Sequence, residues 1–218
     1  MNSITLTNLL PRVFHGMEHQ PPVCDSQIWL REVTFTRGCR VCLSAESGGG
    51  KSSLLSFICG ERDDYTGKIE FDNRDIRTLT PSQRVEIRRR AIALLPQDMR
   101  LFGELTAIEN IEVKNRLTSA LSPGEIRSML SRLGLEDKIN VPVSRMSVGQ
   151  QQRVAIVRAL AQPFDFILLD EPVSHLDSRN NLIAAEMIEE RAAASGAGII
   201  TTSVGNPLMI KNAVTIKL

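Results

Sequence analysis

The sequence is poor in the features that mark several classes of protein. Its 218 residues include only four cysteines, and their spacing does not suggest a secreted disulfide framework. The formal net charge is only +1, so no nucleic-acid partner is expected. No apolar run approaches the roughly 18–20 residues that span a bilayer, and the N-terminal residues lack the regions of a signal peptide. These absences predict a soluble, cytoplasmic protein that would reach a membrane only through another polypeptide.

What the sequence does contain is an alternation of strand and helix signals. The apolar runs at 164–171 and 197–203 are typical of parallel strands buried on both faces. Two capping boxes with proline at the first helical position, at 80–83 and 122–125, mark helix starts. The alternation predicts an α/β fold in which ligands bind at the carboxyl ends of the strands.

The middle of the chain differs from its two flanks. Between roughly 98 and 161 there are helix signals and no strong strand signal. We therefore predict one domain, residues 1–218, with a helical subdomain inserted between the two halves of the sheet.

A glycine-rich loop carries the central chemistry. The stretch "AESGGGKSS" follows a strand and opens an apolar helix, and it matches the phosphate-binding pattern G-x-x-x-x-G-K-[ST], with Ala45 in place of the first glycine. Alanine fits there if its φ is negative. Glycine lets the backbone N–H groups turn towards an anion, Lys51 adds charge for the β- and γ-phosphates, and Ser52 offers a hydroxyl to Mg²⁺. The predicted ATP-binding residues of this loop are Ser47, Gly48, Gly49, Gly50, Lys51, Ser52 and Ser53.

Two acids close the apolar run at 164–171. Asp170 is predicted to hold Mg²⁺ through water, and Glu171 to polarise an attacking water. Two acids at a strand end are often only a solvated edge, but a phosphate loop upstream favours the catalytic interpretation.

The block from Met146 to Asp177, "MSVGQQQRVAIVRALAQPFDFILLDEPVSHLD", resembles the nucleotide-binding subunit of ABC transporters. The family signature L-S-G-G-Q stands here as "MSVGQ", in which Ser147 is predicted to cap a helix with Gln150 as its capping-box partner, and Gly149 to let the backbone approach a phosphate. The resemblance implies that this phosphate sits on the P-loop of a second chain. The active unit would then be a head-to-tail homodimer or heterodimer with two ATP molecules at its interface.

Other stretches match further motifs of the same family. "LLPQDMRLF" looks like the Q-loop, with Gln97 reaching the metal and the attacking water, and "SHLD" looks like the D-loop, with Asp177 contacting the opposite subunit. The family usually stacks adenine on an aromatic residue upstream of the P-loop. Phe14 is the preferred candidate for that role, whereas Trp29 is expected to pack in the core.

The resemblance implies a P-loop NTPase fold with a mixed or parallel sheet core, an N-terminal antiparallel β piece and an inserted helical subdomain. It also implies an ATPase that uses ATP and Mg²⁺ to act on an integral membrane permease at the inner face of the cell membrane. The "GQQQR" run and the compact length look most like the lipoprotein-release, FtsE-like and MacB-like branch. One alternative is a soluble, non-transport ABC ATPase of the Fe–S assembly type. A small-molecule kinase would leave the 146–177 block unexplained.

One catalytic position departs from the family. The strand at 197–203 would end in Thr-His, and the expected place of the histidine falls at Ser203, with no histidine anywhere after His175. Serine can hydrogen-bond a phosphate but lacks the charge and reach of an imidazole. Together with Ala45 and Val148, Ser203 predicts slow hydrolysis more than lost ATP binding.

Overall fold

The computed structural model describes all residues from 1 to 218. They form two β-sheets and six α-helices, joined by loops and four short 3₁₀ turns. In chain order the elements are β1 (Ser3–Pro11), β2 (Glu32–Thr36), β3 (Arg40–Ser44), α1 (Lys51–Ile58), β4 (Tyr65–Phe71), β5 (Arg74–Asp75), α2 (Pro81–Arg90), β6 (Ile92–Leu95), α3 (Ala107–Asn115), α4 (Pro123–Arg132), α5 (Val148–Leu160), β7 (Phe166–Leu169), α6 (Ser178–Ser195), β8 (Gly198–Ser203) and β9 (Val214–Lys217).

The larger sheet has five parallel strands in the order β6-β7-β8-β3-β9. Parallel strands end at the same edge of a sheet, so the carboxyl ends of β3, β6, β7 and β8 lie side by side. This edge therefore brings the glycine-rich loop, the segment of Gln97, the two acids and Ser203 to one side of the molecule.

The smaller sheet is antiparallel, in the order β2-β1-β4-β5, and confirms the predicted N-terminal β piece. The pairing of β1 with β4 shifts register between Thr7 and Leu10. At this irregularity a Cβ on Gly67 would lie 2.2 Å from the carbonyl oxygen of Asn8, so only glycine allows the two backbones to approach so closely.

Helix α1 lies between the two sheets. Its apolar side chains join one buried cluster with β1 and β4 on one side and with Phe166, Leu168 and Ile200 of the parallel sheet on the other. The alternate residues of the same strands, among them Ile167, Leu169 and Ile199, belong to a second cluster with helices α3 to α6. The strands of the parallel sheet are apolar on both faces because both faces are covered.

The predicted helix starts are confirmed. Thr80 with Gln83 and Ser122 with Glu125 form reciprocal capping boxes at the start of α2 and α4. Residues 98–161 contain α3, α4 and α5 and no strand, as the helix signals indicated. The division of the chain into one domain with an inserted helical subdomain stays a prediction.

Candidate active site at the carboxyl edge of the parallel sheet

The glycine-rich loop turns sharply between β3 and α1. Gly48 and Gly50 have φ values of +84° and +91°, which L-residues with side chains rarely adopt. A Cβ on Gly49 would lie 2.8 Å from the methyl carbon of Ala45. The φ of Ala45 is not positive, so the loop accommodates alanine as expected. The absence of a side chain on Gly49 leaves room for the Ala45 methyl group.

The first turn of α1 presents free hydrogen-bond donors. The backbone N–H groups of residues 50–53 make no hydrogen bond to another backbone group, and no side chain caps the helix. Free N–H groups and the positive end of a helix together attract phosphate. Among the predicted loop residues, Ser47 is exposed, and the hydroxyl of Ser53 accepts a hydrogen bond from Arg62 at 3.0 Å.

Two aromatic rings pack against this loop. Trp29 is buried, as predicted, and its indole N–H donates to the carbonyl oxygen of Gly49 at 3.3 Å. Phe14 packs edge-on against Trp29, with ring centroids 6.2 Å apart. A Cβ on Gly50 would lie 2.8 Å from Trp29 and 3.2 Å from Phe14, so the rings fit against glycine alone. Phe14 also lines a cavity of about 880 Å³ beside the loop, and its stacking on adenine stays a prediction.

Four predicted residues from three segments form a continuous line of contacts. The Lys51 ammonium donates to the carbonyl oxygens of Ala45 and Glu46 at 3.0 Å and lies 3.8 Å from the Glu171 carboxylate. The Gln97 amide nitrogen donates to Glu171 at 3.3 Å, and the Ser52 hydroxyl donates to the Gln97 amide oxygen at 3.4 Å. The carboxyl edge of the sheet thus brings Lys51, Ser52, Gln97 and Glu171 together.

Asp170 has a partner that the sequence did not single out. The buried Asp170 carboxylate accepts a hydrogen bond from the hydroxyl of Thr202 on β8 at 2.7 Å. The only available signal was the hydroxyl cluster "TTS" at the end of an apolar run.

The donor set suits a hard cation. Ser52, Gln97 and Asp170, the predicted metal residues, offer hydroxyl, amide and carboxylate oxygens, which are the ligands that Mg²⁺ prefers. The distance of 3.4 Å between the Ser52 hydroxyl and the Gln97 amide oxygen shows that two of these oxygens already face each other.

Ser203 stands apart from these contacts. It is 5% exposed, and its hydroxyl makes no hydrogen bond. Successive side chains of a strand point to opposite faces, so Ser203 lies on the face of the sheet away from Thr202 and α1. Its catalytic role stays a prediction.

The signature stretch forms the start of α5, with the predicted capping box. Ser147 accepts from the N–H of Gln150 at 3.3 Å, and the Gln150 side chain accepts from the N–H of Ser147 at 2.9 Å. A Cβ on Gly149 would lie 2.9 Å from the carbonyl oxygen of His175. No hydrogen bond joins this helix start to the P-loop of the same chain.

Asp177 caps helix α6. Its carboxylate accepts from the N–H of Asn180 at 2.8 Å, and this hydrogen bond holds the pKa of Asp177 below its ordinary value. The residue is exposed, and it follows His175 and Leu176, which lie close to Gly149. Its contact with an opposite subunit stays a prediction.

No helix of the chain combines the length and the apolar character that crossing a membrane requires.

Comparisons with known proteins agree with this architecture. Residues 31–174 match the family model described as "ABC transporter". The chain is 35% identical to the macrolide export ATP-binding/permease protein MacB of Nitrosomonas europaea over 74% of its own length and 25% of that protein. It is 34% identical to the lipoprotein-releasing system ATP-binding protein LolD of Leptospira interrogans over 69% of its own length and 64% of that protein.

A solved structure gives the same result for the fold. The dimeric structure of MJ0796, a bacterial ABC transporter cassette, superposes with a TM-score of 0.77 at 25% identity, over 98% of this chain and 94% of that one. The resemblance to the lipoprotein-release and MacB-like branch is confirmed by these relatives. The chain belongs to the ABC transporter family.

Proposed function

We propose that this chain is the ATP-binding and ATP-hydrolysing subunit of a transporter whose membrane part is a separate polypeptide. The observation that carries the proposal is the line of contacts from Lys51 through Glu171 and Gln97 to Ser52, beside the free N–H groups of α1. Transfer of a phosphoryl group to water needs these groups, because catalysis depends on positioning and on stabilising charge.

The P-loop binds the triphosphate. The N–H groups of residues 50–53 donate to phosphate oxygens, and the Lys51 ammonium, which here contacts two loop carbonyls, turns to the β- and γ-phosphates. Ser52, Gln97 and Asp170 would hold Mg²⁺, which when bound neutralises charge on those phosphates. The Glu171 carboxylate accepts a hydrogen bond from the attacking water, and Gln97 fixes the position of both.

The signature helix start serves a second chain. Ser147 and Val148 are exposed, Val148 by 47%, at a helix N-terminus that has no phosphate-binding partner in its own chain. The proposed active unit is a head-to-tail dimer in which this helix start binds the γ-phosphate on the opposite P-loop, with Asp177 at the same interface. The likeness to a dimeric cassette supports this arrangement without deciding between a homodimer and a heterodimer.

A groove beside Gln97 suits the membrane partner. It has a volume of about 220 Å³ between the segment 96–102, α3 and α5, and Phe102 and Leu117 expose about half of their surface at its rim. Arg158 fixes the adjoining turn by donating to the carbonyl oxygens of Met99 and Arg100. A partner in this groove would sense movement of Gln97, and would hold the chain at the inner face of the cell membrane.

Hydrolysis by this subunit is proposed to be slow. The position of the family's histidine is occupied by Ser203, which donates to no residue of the site. ATP binding and dimer closure would need only the P-loop and the signature, and the positive φ values of Gly48 and Gly50 and the capping box of Ser147 support those roles.

ATP hydrolysis by the purified chain tests the proposal. Lys51→Ala is expected to lower the rate by on the order of 10²-fold or more, because it removes the phosphate-binding charge. Glu171→Gln is expected to trap an ATP-bound dimer, seen as a doubled mass in size-exclusion chromatography.

The matched control for this experiment is Lys68→Ala, which removes a surface lysine paired with Glu70 and is expected to leave the rate unchanged. ATP hydrolysis by Glu171→Gln at the wild-type rate would show that Glu171 is not the general base.

A further inference from the structure

Glu171, the second residue after β7, has an unusual backbone conformation. Its φ is +48°, in the left-handed region that a residue other than glycine keeps only when its surroundings hold it there. The side chain reaches Gln97 and Lys51 from this backbone. The contacts that hold the main chain of Glu171 at this φ therefore also orient its carboxylate.

The N–H group of Glu171 is held by Thr202. This N–H donates to the Thr202 hydroxyl at 2.9 Å, while the hydroxyl donates its own proton to Asp170 at 2.7 Å. Thr202 is 1% exposed, so water does not compete for these bonds. One hydroxyl thereby fixes the relative position of the two acids.

The carbonyl group of Glu171 is held from the other side by Gln152 of α5. The Gln152 amide nitrogen donates to the Glu171 carbonyl oxygen and to the Ser174 hydroxyl, both at 3.1 Å. Its amide oxygen accepts from the N–H of His175 at 2.9 Å. Gln152 is 2% exposed, and its amide joins Glu171 and the following turn to one helix.

We propose that Thr202 and Gln152 are positioning residues that clamp the main chain of Glu171 on both sides and so orient its carboxylate for catalysis. This inference rests on the proposed function, in which Glu171 polarises the attacking water. Gln152 lies on the helix that begins with the signature residues. The clamp therefore makes the orientation of Glu171 depend on the position of that helix within the same chain.

Steady-state ATP hydrolysis by Thr202→Val and Gln152→Met tests the clamp, since both substitutions keep approximate size and remove the hydrogen bonds. The kcat is expected to fall by at least about tenfold, because a misplacement of 1 Å costs up to about 10²-fold. At saturating Mg²⁺, which offsets a weaker metal site when Asp170 loses its bond to Thr202, the KM for ATP is expected to change less than about threefold, because neither residue touches the P-loop. Thr202→Ser keeps the hydroxyl and is expected to retain a kcat within about threefold of wild type.

Gln162→Met is the matched control. Gln162 is also a buried glutamine, 1% exposed, and its amide donates to the carbonyl oxygens of Arg88, Ile92 and Pro163, away from the site. Gln162→Met is expected to lower the urea midpoint of unfolding about as much as Gln152→Met does, while its kcat stays unchanged. The control separates a positioning role from a general loss of stability.

Glu171→Gln is measured in the same series to separate the two proposals. A kcat within about threefold of wild type in Thr202→Val or in Gln152→Met would overturn the clamp, and the proposed function would stand if Glu171→Gln were inactive. A KM that rises in step with the fall in kcat would also overturn the clamp. A fully active Glu171→Gln would overturn the proposed role of Glu171 and the clamp with it.

Discussion

At the scale of the residue, the end of β8 shows how neighbouring hydroxyl groups acquire different roles. Thr202 bonds to Asp170, which directly follows the neighbouring strand β7, whereas Ser203 points to the other face and makes no hydrogen bond, although it is buried. A buried hydroxyl without a partner costs free energy, on the order of 1–3 kcal/mol. Ser203 thus carries a buried hydroxyl without a protein partner at the position where we propose that it replaces the family's imidazole.

Ser203→His is expected to raise kcat for ATP hydrolysis. The serine hydroxyl lies on the face of the sheet away from α1, but β8 ends at this residue, so the longer imidazole is expected to reach past the strand end towards the γ-phosphate and offer a donor there. One added donor to transition-state charge predicts a gain of about tenfold or more. The measurement is the steady-state rate at saturating ATP and Mg²⁺, together with the melting temperature.

Val204→His serves as the control for Ser203→His, since it adds the same group at the next, half-exposed position. No gain, or an equal gain in both variants, would show that Ser203 does not limit hydrolysis.

Asp170 and Glu171 could be singled out in the sequence, but Thr202 and Gln152, the residues proposed to position them, could not, for a physical reason. Which of two adjacent hydroxyls faces the acids depends on the order of the strands in the sheet, and only the folded sheet supplies it. In "GQQQR", likewise, three glutamines are chemically identical in the sequence. Only the packing of α5 against the turn at Ser174 and His175 distinguishes Gln152.

At the scale of the element, α4 and α5 begin with the same design. Each has a serine cap, a reciprocal partner at the third helical position, and a glycine at the second, Gly124 or Gly149. Their surroundings differ. A Cβ on Gly124 would have only the Ser122 hydroxyl near it, at 4.0 Å, whereas a Cβ on Gly149 would be 2.9 Å from the His175 carbonyl oxygen.

Gly149→Ala is therefore expected to lower the free energy of unfolding by about 1–3 kcal/mol, because a backbone carbonyl cannot move aside easily. Gly124→Ala is expected to be neutral or to stabilise by about 0.4–1 kcal/mol, because alanine restricts the unfolded chain. Urea denaturation of both variants measures the difference. Equal effects at the two positions would show that α5 does not depend on close contact with His175.

Elements were predictable where local chemistry marked them. The capping boxes fixed the starts of α2, α4 and α5, but β6 and β9 carry little signal of their own. β6 has four residues and ends just before Pro96, and the side chains of β9 are largely exposed, so its apolar pattern is weak. Both strands exist because their backbones complete the ladders of β7 and β3, which a sequence does not display.

At the scale of the whole molecule, the proposed ATP site is divided between two separate parts of the chain. The P-loop with its acids lies at the carboxyl edge of the sheet, and the signature helix start has no hydrogen bond to it. In the proposed head-to-tail dimer, the signature helix start of one chain would meet the P-loop of the other. The groove lined by Pro96 adds a third surface, one residue away from Gln97.

The groove leads to a prediction about the association of this chain with a membrane protein. The chain recovered from native membranes is expected to bring an integral membrane protein with it, and Phe102→Asp is expected to weaken that association. A carboxylate would replace a 52% exposed ring at the groove rim, so the lost apolar burial predicts on the order of tenfold lower affinity. Val85→Asp changes a residue of α2 that is 53% exposed and lies outside the groove, so its association is expected to match wild type. Equal recovery of the membrane protein with the wild-type chain, Phe102→Asp and Val85→Asp would contradict docking in the groove. Recovery of a soluble scaffold protein in place of a membrane protein would favour a non-transport member of the family.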